Sequence, residues 1–438
     1  MYLSGKNTAE SPVRAGELVV VVGSGASGLA AAKLLLSLGA QVRLADSNPK
    51  GFSEEFRVEA ERLGLELVSG QHEPGHFAGA ALVVVSPGVP MRVLEPLLAE
   101  AGNPAYMSEL GLAAYFVDEP TIAVTGTSGK TTTVSLIAAM LEESGKKVFL
   151  GGNIGTPLSE YVLARQQSGK ADVLVLELSS FQLQTTRDFA PHVGMLLNLS
   201  ENHLDQHRDM AEYKDAKLKI FAQQRPDDLA IFSAAEHDLA AEVMTRARKE
   251  FFAPSGRFSD TRLLGKHNQA NLDAAWLAAR AFGVNLEEAK RAAASFKPLE
   301  HRMESLGEKG GVLYINDSKC TTVEALRVAL VSLERPVILL AGGVFKGGDL
   351  AALLPLLQAK AKAVALFGAS RDKFEPAWKD ALPLSWDATL EEALKRAKGM
   401  ARPGDAVLLS PATSSYDLYA NYKERGADFK RIVGEFNG

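Results

Sequence analysis

Short apolar runs alternate with longer amphipathic stretches along almost the whole chain. Many of the short runs are continuous Val and Leu, which is typical of strands that a parallel sheet buries on both faces. The longer stretches between them, such as Gly28–Leu38 and Thr131–Glu143, have the spacing of helices. This alternation predicts a doubly wound α/β architecture. The predicted strands are Leu18–Val22, Val42–Ala45, Leu82–Val85, Ile122–Thr125, Val173–Leu178, Val193–Asn198, Leu229–Phe232, Val312–Ile315, Val337–Leu340, Ala363–Phe367 and Ala406–Leu409.

The stretch "TIAVTGTSGKTTTVSLIAAM" joins a predicted strand to a predicted helix through a glycine turn. Gly126 and Gly129 let the backbone approach a ligand closely, and the N–H groups at the helix start favour an anion. Lys130 can neutralise phosphate charge, and the Thr131 hydroxyl can ligate Mg²⁺. Val124 stands where the common phosphate-loop pattern has a further glycine, so this is a shorter variant. The alternative is a glycine turn that precedes a helix without a ligand.

A second glycine motif, "VVGSGASGLA", places Gly23, Gly25 and Gly28 in a G-x-G-x-x-G pattern after the first strand. Asp46 ends the next strand, as in dinucleotide sites. The residues leave three possibilities: NAD, another nucleotide-bearing ligand, or a tight turn with no ligand. The "SPGVP" segment, Ser86–Pro90, follows a buried strand and would line the same groove.

Two further features involve charged residues, one at the end of a strand and one on a helix. Glu177 ends the strand "VLVLE", where a carboxylate is costly unless it is paired or bound to a metal. Its strand is expected beside the phosphate-loop strand, which favours Mg²⁺ ligation over a structural hydrogen-bond network. Tyr213 and Lys217 are spaced i,i+4 and share one helix face. Because Lys214 and Lys219 are close by, a solvated basic face is the alternative for Lys217.

Three segments are separable along the chain. The first ends near Tyr106, the second opens at the phosphate loop, and the third follows "AAASFKPLEHRMES", where a helical stretch gives way to Pro298. Each has a size that is usual for one domain. We therefore predict a Rossmann-like domain over 1–107, a central domain like the phosphate-loop ATPases over 108–297, and a second Rossmann-like domain over 298–438.

Composition narrows the class of protein. The chain is 46% hydrophobic and 23% charged with a net charge of −5, which gives no reason to expect nucleic-acid binding. The single cysteine, Cys320, excludes an intramolecular disulfide and a multi-cysteine metal site, and it fits a reducing cytoplasm. No apolar stretch approaches the ~20 residues of a membrane span. The N-terminal segment lacks the apolar core of a secretion signal, so a cytoplasmic protein is expected.

The short loop G-T-S-G-K-T-T resembles that of the Mur ligase family, the ATP-dependent amino-acid ligases of peptidoglycan precursor synthesis. Further segments follow in the family's order over most of the chain, and as an ordered set they are specific. They are "GGNIGTPL" (151–158), "LELSSFQL" (176–183), "LNLSENHLDQH" (197–207), "KHNQANLDAA" (266–275), "EHRME" (300–304), "INDSKCTT" (315–322) and "AGGVFKGGD" (341–349). Within the family, "ELSSFQL" and "LLSPATSSYDLYANYKERGADF" (408–429) resemble the members that add D-glutamate.

The resemblance implies three substrates: UDP-N-acetylmuramoyl-L-alanine, D-glutamate and ATP. It implies that the first domain binds the UDP-sugar, through Ala26, Ser27, Asp46, Ser47 and Gly88, and that Asn153 of the central domain also contacts this substrate. It implies that ATP is bound by Gly126, Thr127, Ser128, Gly129, Lys130, Thr131, Thr132, Asn268, Asn271, Arg302 and Asp317. Asn268 and Asn271 would face the adenine, Arg302 the phosphates and Asp317 the ribose, although Arg302 has the alternative of a surface charge.

The resemblance also implies two Mg²⁺ sites, with Lys217 carbamylated by CO₂ into a carboxylate-like ligand. The implied metal ligands are Thr131, Glu177, His203 and Lys217, and the implied catalytic residues are Lys130, Glu177, His203 and Lys217. For D-glutamate it implies Lys319, Thr321, Lys346, Ser415 and Tyr422, a set of cations and hydroxyls that suits two carboxylates. Val344 stands where family members often carry an acid or a polar residue, which weakens the assignment of Lys346.

The implied reaction is ATP-driven amide formation through an acyl phosphate, by a protein expected to be a monomer. A sister ligase for another amino acid and a folylpolyglutamate synthase share the ATP site but not the "SPATSSYDLYANY" segment. A nucleotide-sensing protein without ligase activity is a further alternative, against which the intact Lys130, Glu177, His203 and Lys217 argue. A Rossmann-type oxidoreductase is the last alternative. Cys320 is expected to be a small packing residue.

Overall fold

The computed structural model describes residues 11–48, 52–201, 207–263, 265–297 and 300–436. Its strands are β1 Leu18–Val22, β2 Gln41–Asp46, β3 Glu66–Ser69, β4 Leu82–Val85, β5 Ala105–Ser108, β6 Thr121–Thr125, β7 Val148–Gly152, β8 Val173–Glu177, β9 Val193–Leu196, β10 Leu229–Ser233, β11 Arg248–Phe252, β12 Glu304–Lys309, β13 Val312–Asn316, β14 Val337–Gly342, β15 Ala361–Phe367, β16 Leu384–Asp387 and β17 Ala406–Leu409. All eleven predicted strands are confirmed, with ends shifted by at most two residues.

Helices connect most of the strands, as the alternating pattern predicted. They are α1 Ala26–Ser37, α2 Glu54–Leu63, α3 Met91–Glu100, α4 Glu109–Ala114, α5 Lys130–Glu143, α6 Leu158–Ser168, α7 Ser180–Gln184, α8 Met210–Leu218, α9 His237–Glu242, α10 Lys266–Arg280, α11 Leu286–Ser295, α12 Val323–Val331, α13 Leu354–Lys360, α14 Arg371–Trp378, α15 Leu390–Met400 and α16 Tyr422–Glu435. Among the described residues, no helix is long and apolar enough to cross a membrane.

The first sheet is parallel, with the strand order β3-β2-β1-β4-β5. The chain leaves β1 toward β2 on one side and returns to β4 on the other. The turn after β1 therefore lies at the switch point of the sheet, where open α/β sheets bind ligands. The predicted glycine motif occupies this turn.

The second sheet is also parallel, with the order β11-β10-β9-β6-β8-β7. Strand β6 lies between β8 and β9, and Val124 is in register with Glu177. This pairing places the phosphate loop and Glu177 at the carboxyl ends of two adjacent parallel strands, as predicted.

The third sheet has the order β12-β13-β17-β14-β15-β16, and β12 is antiparallel to β13 while the other pairs are parallel. The α/β class is therefore confirmed, with a mixed sheet in the C-terminal part.

The described chain forms two compact units, Met1–Asp260 with Ala270–Ala294 and Thr261–Gln269 with Ser295–Gly438. The first unit holds the first two sheets, which share a core that includes Leu35, Leu110 and Leu158. The second unit holds the third sheet. The three predicted domain ranges, 1–107, 108–297 and 298–438, remain a prediction.

Candidate active site

The phosphate loop joins β6 to α5 through two glycines with positive φ. Gly126 has φ +152°, and a Cβ there would lie 3.0 Å from the Leu197 side chain. Gly129 has φ +84° and precedes the first residue of α5, and its Cβ would lie 2.8 Å from the Asn271 amide oxygen. A side chain at either position would be strained and would crowd its neighbours. The predicted order of strand, glycine loop and helix is thus confirmed.

Lys130 folds back over this loop. Its Nζ donates to the carbonyl oxygens of Gly126 at 2.8 Å and Thr127 at 2.9 Å. The side chain is half-buried, and its ammonium therefore lies over the loop backbone rather than out in solvent. Thr131 and Thr132 follow in the first turn of α5, where helix N–H groups favour a phosphate.

Asn198, just after the end of β9, makes three hydrogen bonds to the phosphate loop. Its amide oxygen accepts from Ser128 N at 2.9 Å, and its amide nitrogen donates to Ser128 O at 3.1 Å. Its backbone oxygen accepts from Thr127 N at 3.0 Å. The sequence analysis did not assign this residue; its one signal is an amide side chain just past an apolar strand.

Glu177 has one paired and one unpaired carboxylate oxygen. The side chain is 2% exposed, and Oε1 accepts from Asn153 Nδ2 at 2.8 Å. Oε2 is buried and has no hydrogen-bond partner among the described residues. A buried acceptor without a donor is costly, and a hard cation such as Mg²⁺ prefers carboxylate oxygen. The site therefore fits a metal ion at this oxygen.

Lys217 is buried beside the same loop. It is 2% exposed, and its Nζ donates to Gly126 O at 2.9 Å and lies 4.6 Å from the centre of the Tyr213 ring. Burial, followed by repulsion from Lys130, lowers its pKa from 10.5 to about 6, although the charge of Glu177 opposes the shift. The alternative of a solvated basic helix face is therefore wrong for Lys217.

The sequence analysis left without a role both Tyr213, which contacts Lys217, and His207, whose ring lies 5.4 Å from that of Tyr213. The Tyr213 hydroxyl lies 3.1 Å from Thr127 Oγ1, which links α8 to the phosphate loop. His207 is buried, its ring stacks on Phe181 with centroids 5.1 Å apart, and its Nε2 lies 2.9 Å from Ser180 Oγ. The segment before it, with the predicted metal ligand His203, lies outside the described residues.

Within the part of the chain that is described, no three His, Cys, Asp or Glu side chains form a group that could hold a metal ion. The metal assignment of Thr131, Glu177, His203 and Lys217 therefore remains a prediction.

The turn after β1 requires its glycines. Gly23 has φ +96°, and a Cβ on Gly28 would lie 1.9 Å from the Gly23 carbonyl oxygen. Ala26 and Ser27 follow as the first residues of α1, and Ser86 donates to Gly23 O at 3.3 Å. The strand, turn and helix needed for a nucleotide site are therefore present.

Asp46 ties this turn to the end of β2. One carboxylate oxygen accepts from Ser24 N at 2.8 Å and Ser24 Oγ at 2.5 Å, and the other accepts from Asn48 N at 2.9 Å. Burial tends to raise the pKa of Asp46, but the hydrogen bonds from Ser24 and Asn48 outweigh it and lower the pKa. Asp46 thus fixes the backbone of the turn, and the neighbouring Ser47 is exposed. Gly88 is exposed at the end of β4.

The remaining ATP residues fall on α10 and in the second unit. Asn268 and Asn271 lie one turn apart on α10 and are 6% and 7% exposed. The carboxylate of Asp317 accepts from Met303 N at 3.1 Å and Ser410 Oγ at 2.8 Å. Burial raises the pKa of Asp317 to about 7, while these hydrogen bonds and the charge of Arg302 oppose the shift. Its predicted contact with ribose remains a prediction.

The residues predicted for the amino acid gather at the carboxyl edge of the third sheet. They follow three neighbouring strands: Lys319 and Thr321 follow β13, Lys346 follows β14, and Ser415 and Tyr422 follow β17. Ser415 is buried, Thr321 and Lys319 are half-buried, and Lys346 is exposed.

Arg425 holds two of these loops together and was not predicted. It is fully buried, and it donates to Ser318 Oγ at 3.0 Å, to Ser318 O at 2.8 Å and to Thr413 O at 3.0 Å. Burial lowers its pKa to about 10, so it stays charged at neutral pH. Ser318 lies next to Lys319, and Thr413 lies close to Ser415, so Arg425 fixes the backbone that presents both side chains.

A phosphate loop at the edge of a parallel sheet, accompanied by two further α/β sheets, defines a multidomain protein of the nucleoside-triphosphate-binding class. Family models match the chain in the same three parts: a MurD-like N-terminal domain over residues 17–105, a Mur ligase middle domain over 124–258, and a Mur ligase glutamate ligase domain over 301–413. The chain belongs to the Mur ligase family.

Curated relatives match nearly the full chain. The UDP-N-acetylmuramoylalanine--D-glutamate ligase of Oleidesulfovibrio alaskensis is 57% identical over 426 residues, which is 97% of this chain and 95% of the relative. The ligase of the same name from Nitratidesulfovibrio vulgaris (strain Miyazaki F) is 56% identical and covers 98% of both chains. Among solved structures, the MurF ligase of Thermotoga maritima in complex with ADP has a TM-score of 0.58 at 19% identity, covering 97% of this chain and 96% of that one. At that identity the likeness shows the fold.

Proposed function

We propose that this chain is an ATP-dependent ligase that joins D-glutamate to UDP-N-acetylmuramoyl-L-alanine in cytoplasmic peptidoglycan precursor synthesis. One observation supports the chemistry: Lys130 and Lys217 both donate to Gly126 O of the phosphate loop, and Glu177, which pairs with Val124 on the phosphate-loop strand, has a buried unpaired oxygen. The names of the close relatives support the choice of substrates.

ATP would lie with its phosphates on the loop 126–132. The N–H groups at the start of α5 and the Lys130 ammonium would face the β- and γ-phosphates, since phosphoryl transfer depends on positioning and charge stabilisation. Asn268 and Asn271 would face the adenine. Arg302 would contact the phosphates, and Asp317 would contact the ribose.

Two Mg²⁺ ions would be held by Thr131, Glu177, His203 and a carbamylated Lys217. When bound, Mg²⁺ supplies positive charge against the oxygens of the transferring phosphoryl group. Of the ligands, Glu177 offers a buried unpaired oxygen, and Lys217 is buried, with its Nζ donating to Gly126 O. CO₂ adds to a neutral amine, and burial in apolar surroundings favours that form of a lysine.

The reaction has two steps. The carboxylate of the L-alanyl group attacks the γ-phosphorus, and the bond to the ADP oxygen breaks, giving an acyl phosphate and ADP. The amine of D-glutamate then attacks the acyl carbon; the C–O bond to phosphate breaks, and the amine loses a proton as the amide forms. Lys130 lies where charge develops in the first step, and preorganised charge of this kind lowers the barrier.

Two further sets of residues would hold the other substrates. Ala26, Ser27, Asp46, Ser47, Gly88 and Asn153 would hold the UDP-sugar. The two carboxylates of D-glutamate would be recognised by Lys319, Thr321, Lys346, Ser415 and Tyr422, which together offer cations and hydroxyl donors. Since one chain carries every residue assigned, we propose that the enzyme acts as a monomer.

An amino-acid panel tests this function. The protein is incubated with ATP, Mg²⁺ and UDP-N-acetylmuramoyl-L-alanine, and ADP release is measured with each amino acid in turn, using Lys130→Ala as the blank. We expect ADP release with D-glutamate and with no other amino acid. ADP release with a different amino acid would show that the chain is a sister ligase. ATP binding without ADP release would show that it is a nucleotide sensor.

A further inference from the structure

Two lysine–tyrosine pairs lie in the loops assigned to the amino acid. Lys319 Nζ is 5.8 Å from the centre of the Tyr422 ring, and Lys346 Nζ is 5.6 Å from the centre of the Tyr416 ring. Both distances fall within the range of cation–π attraction. Three of the four residues already have a proposed role, whereas Tyr416 has none.

Tyr416 is unusual because a large aromatic side chain is exposed. It is 69% exposed, and the apolar side chains of Val344 and Leu418 are 38% and 42% exposed. A ring this exposed contributes little to a core, so removing it should cost the fold little. Its described ring contact is with the Lys346 ammonium.

The backbone on both sides of this pair is fixed. Val344 N donates to Ser414 O at 2.9 Å, and Ser414 N donates to Val344 O at 3.1 Å. A Cβ on Gly343 would lie 2.4 Å from Ser414 O, so this close approach needs glycine. The two loops are thereby joined through backbone groups, which explains why a valine is accepted at 344: its side chain is exposed and its backbone makes the contacts.

Two more contacts hold the loop ends. Phe345 N donates to Ser370 Oγ at 2.9 Å, just before Lys346. The Asp417 carboxylate accepts from Ala369 N at 2.9 Å, just after Tyr416. Both members of the pair therefore stand on anchored backbone while their side chains reach toward solvent.

We infer that Tyr416 is a positioning residue for Lys346 and, through it, a determinant of affinity for a carboxylate of the amino-acid substrate. This inference rests on the proposed function of Lys346. The face of an aromatic ring attracts an ammonium without neutralising it, whereas a carboxylate partner would neutralise its charge. The ring therefore restricts the flexible lysine to one side of the site and leaves its N–H groups for a substrate carboxylate.

Four variants test the inference: Tyr416→Leu, Tyr416→Phe, Lys346→Met and the double variant Tyr416→Leu/Lys346→Met. The readout is the KM for D-glutamate at saturating ATP and UDP-sugar, beside kcat and the KM for ATP. A cation–π contact at an exposed site corresponds to about a twofold to fivefold change in affinity. We expect Tyr416→Leu to raise the D-glutamate KM by that factor, with kcat and the ATP KM unchanged. Tyr416→Phe, which keeps the ring and loses the hydroxyl, should match the wild type.

The double variant separates positioning from a general effect on the loop. In the Lys346→Met background, Tyr416→Leu should raise the KM no further. A wild-type KM in Tyr416→Leu, an equal rise in Tyr416→Phe, or the same added rise without the lysine would each overturn the inference. If Lys346→Met itself leaves the D-glutamate KM unchanged, the proposed role of Lys346 fails and the inference fails with it. A melting temperature equal to that of the wild type checks that the variants are folded.

Discussion

Lys130 and Lys217 donate to the same carbonyl oxygen, that of Gly126, at 2.8 Å and 2.9 Å. One lysine belongs to the phosphate loop and the other to α8, so a single peptide group joins the two elements. Two ammonium groups at one acceptor repel each other, and this repulsion adds to burial in lowering the pKa of Lys217. At neutral pH the lowered pKa therefore favours the neutral form of Lys217.

Replacing Lys130 should stop turnover without unfolding the protein. In Lys130→Ala the glycine loop still forms, but the charge opposite the γ-phosphate is lost, and we expect ADP release to fall at least a hundredfold, as for other electrostatic groups at a transition state. Lys33→Ala, which removes an exposed lysine from α1, is the matched control. A folded Lys130→Ala variant with near-normal ADP release would contradict the assignment of the phosphate loop.

The lowered pKa of Lys217 should make stability depend on pH. The folded pKa is about 6 and the ordinary value is 10.5, so between these values the unfolded chain binds more protons than the folded one. Stability must therefore rise with pH across that window, with a slope of up to about 1.4 kcal/mol per pH unit. The measurement is urea unfolding from pH 6 to 9, without Mg²⁺ and CO₂, for the wild type and Lys217→Met. The stability difference between them should grow in favour of the wild type; a difference independent of pH would show that Lys217 is protonated in the fold.

If Lys217 is carbamylated, added carboxylic acids should restore activity to a variant that lacks this lysine. Lys217→Ala should be nearly inactive, because a metal ligand is lost, and short carboxylic acids should restore part of the activity by supplying the same pair of oxygens. Lys214→Ala, on the same helix and paired with Glu242 at the surface, should stay active. Full activity of Lys217→Ala would make the lysine dispensable, and inactivity that no acid relieves would favour a role as a plain amine.

Replacing Asp46 should weaken binding of the UDP-sugar without changing the affinity for ATP. Asp46→Ala removes the acceptor for Ser24 and Asn48, which loosens the turn after β1. Loss of hydrogen bonds to a charged group of this kind is expected to weaken UDP-sugar binding about tenfold or more. Calorimetry with each ligand provides the measurement. The UDP-sugar affinity of Asp46→Asn, which keeps one acceptor oxygen, should lie between those of the wild type and Asp46→Ala. Equal weakening of ATP and UDP-sugar binding would contradict the division between the two sites.

The predicted strands are the interior strands of the three sheets. The six strands without a prediction among the described residues are β3, β5, β7, β11, β12 and β16, which are the two edges of each sheet. An edge strand pairs on one side and meets solvent, so it tolerates charge and need not be a continuous apolar run. The segments "ESLGEK" of β12 and "RKEFF" of β11 illustrate this.

The same contrast holds in the candidate site. Lys130 and Glu177 were predictable because local pattern fixes them, the first by its glycine loop and the second as an acid in an apolar strand. Asn198 and Arg425 act through partners 70 and 107 residues away along the chain. No local pattern marks such contacts, and on an amphipathic helix Arg425 looks like any surface arginine.

The acyl phosphate can be tested by following an isotope. UDP-N-acetylmuramoyl-L-alanine with oxygen-18 in its terminal carboxylate is incubated with ATP, Mg²⁺, D-glutamate and the enzyme, and the inorganic phosphate is analysed by mass spectrometry. Because the carboxylate attacks phosphorus and the amine then displaces phosphate from carbon, each turnover should transfer one labelled oxygen into phosphate. Phosphate that forms in step with the amide but carries no label would contradict the proposed reaction.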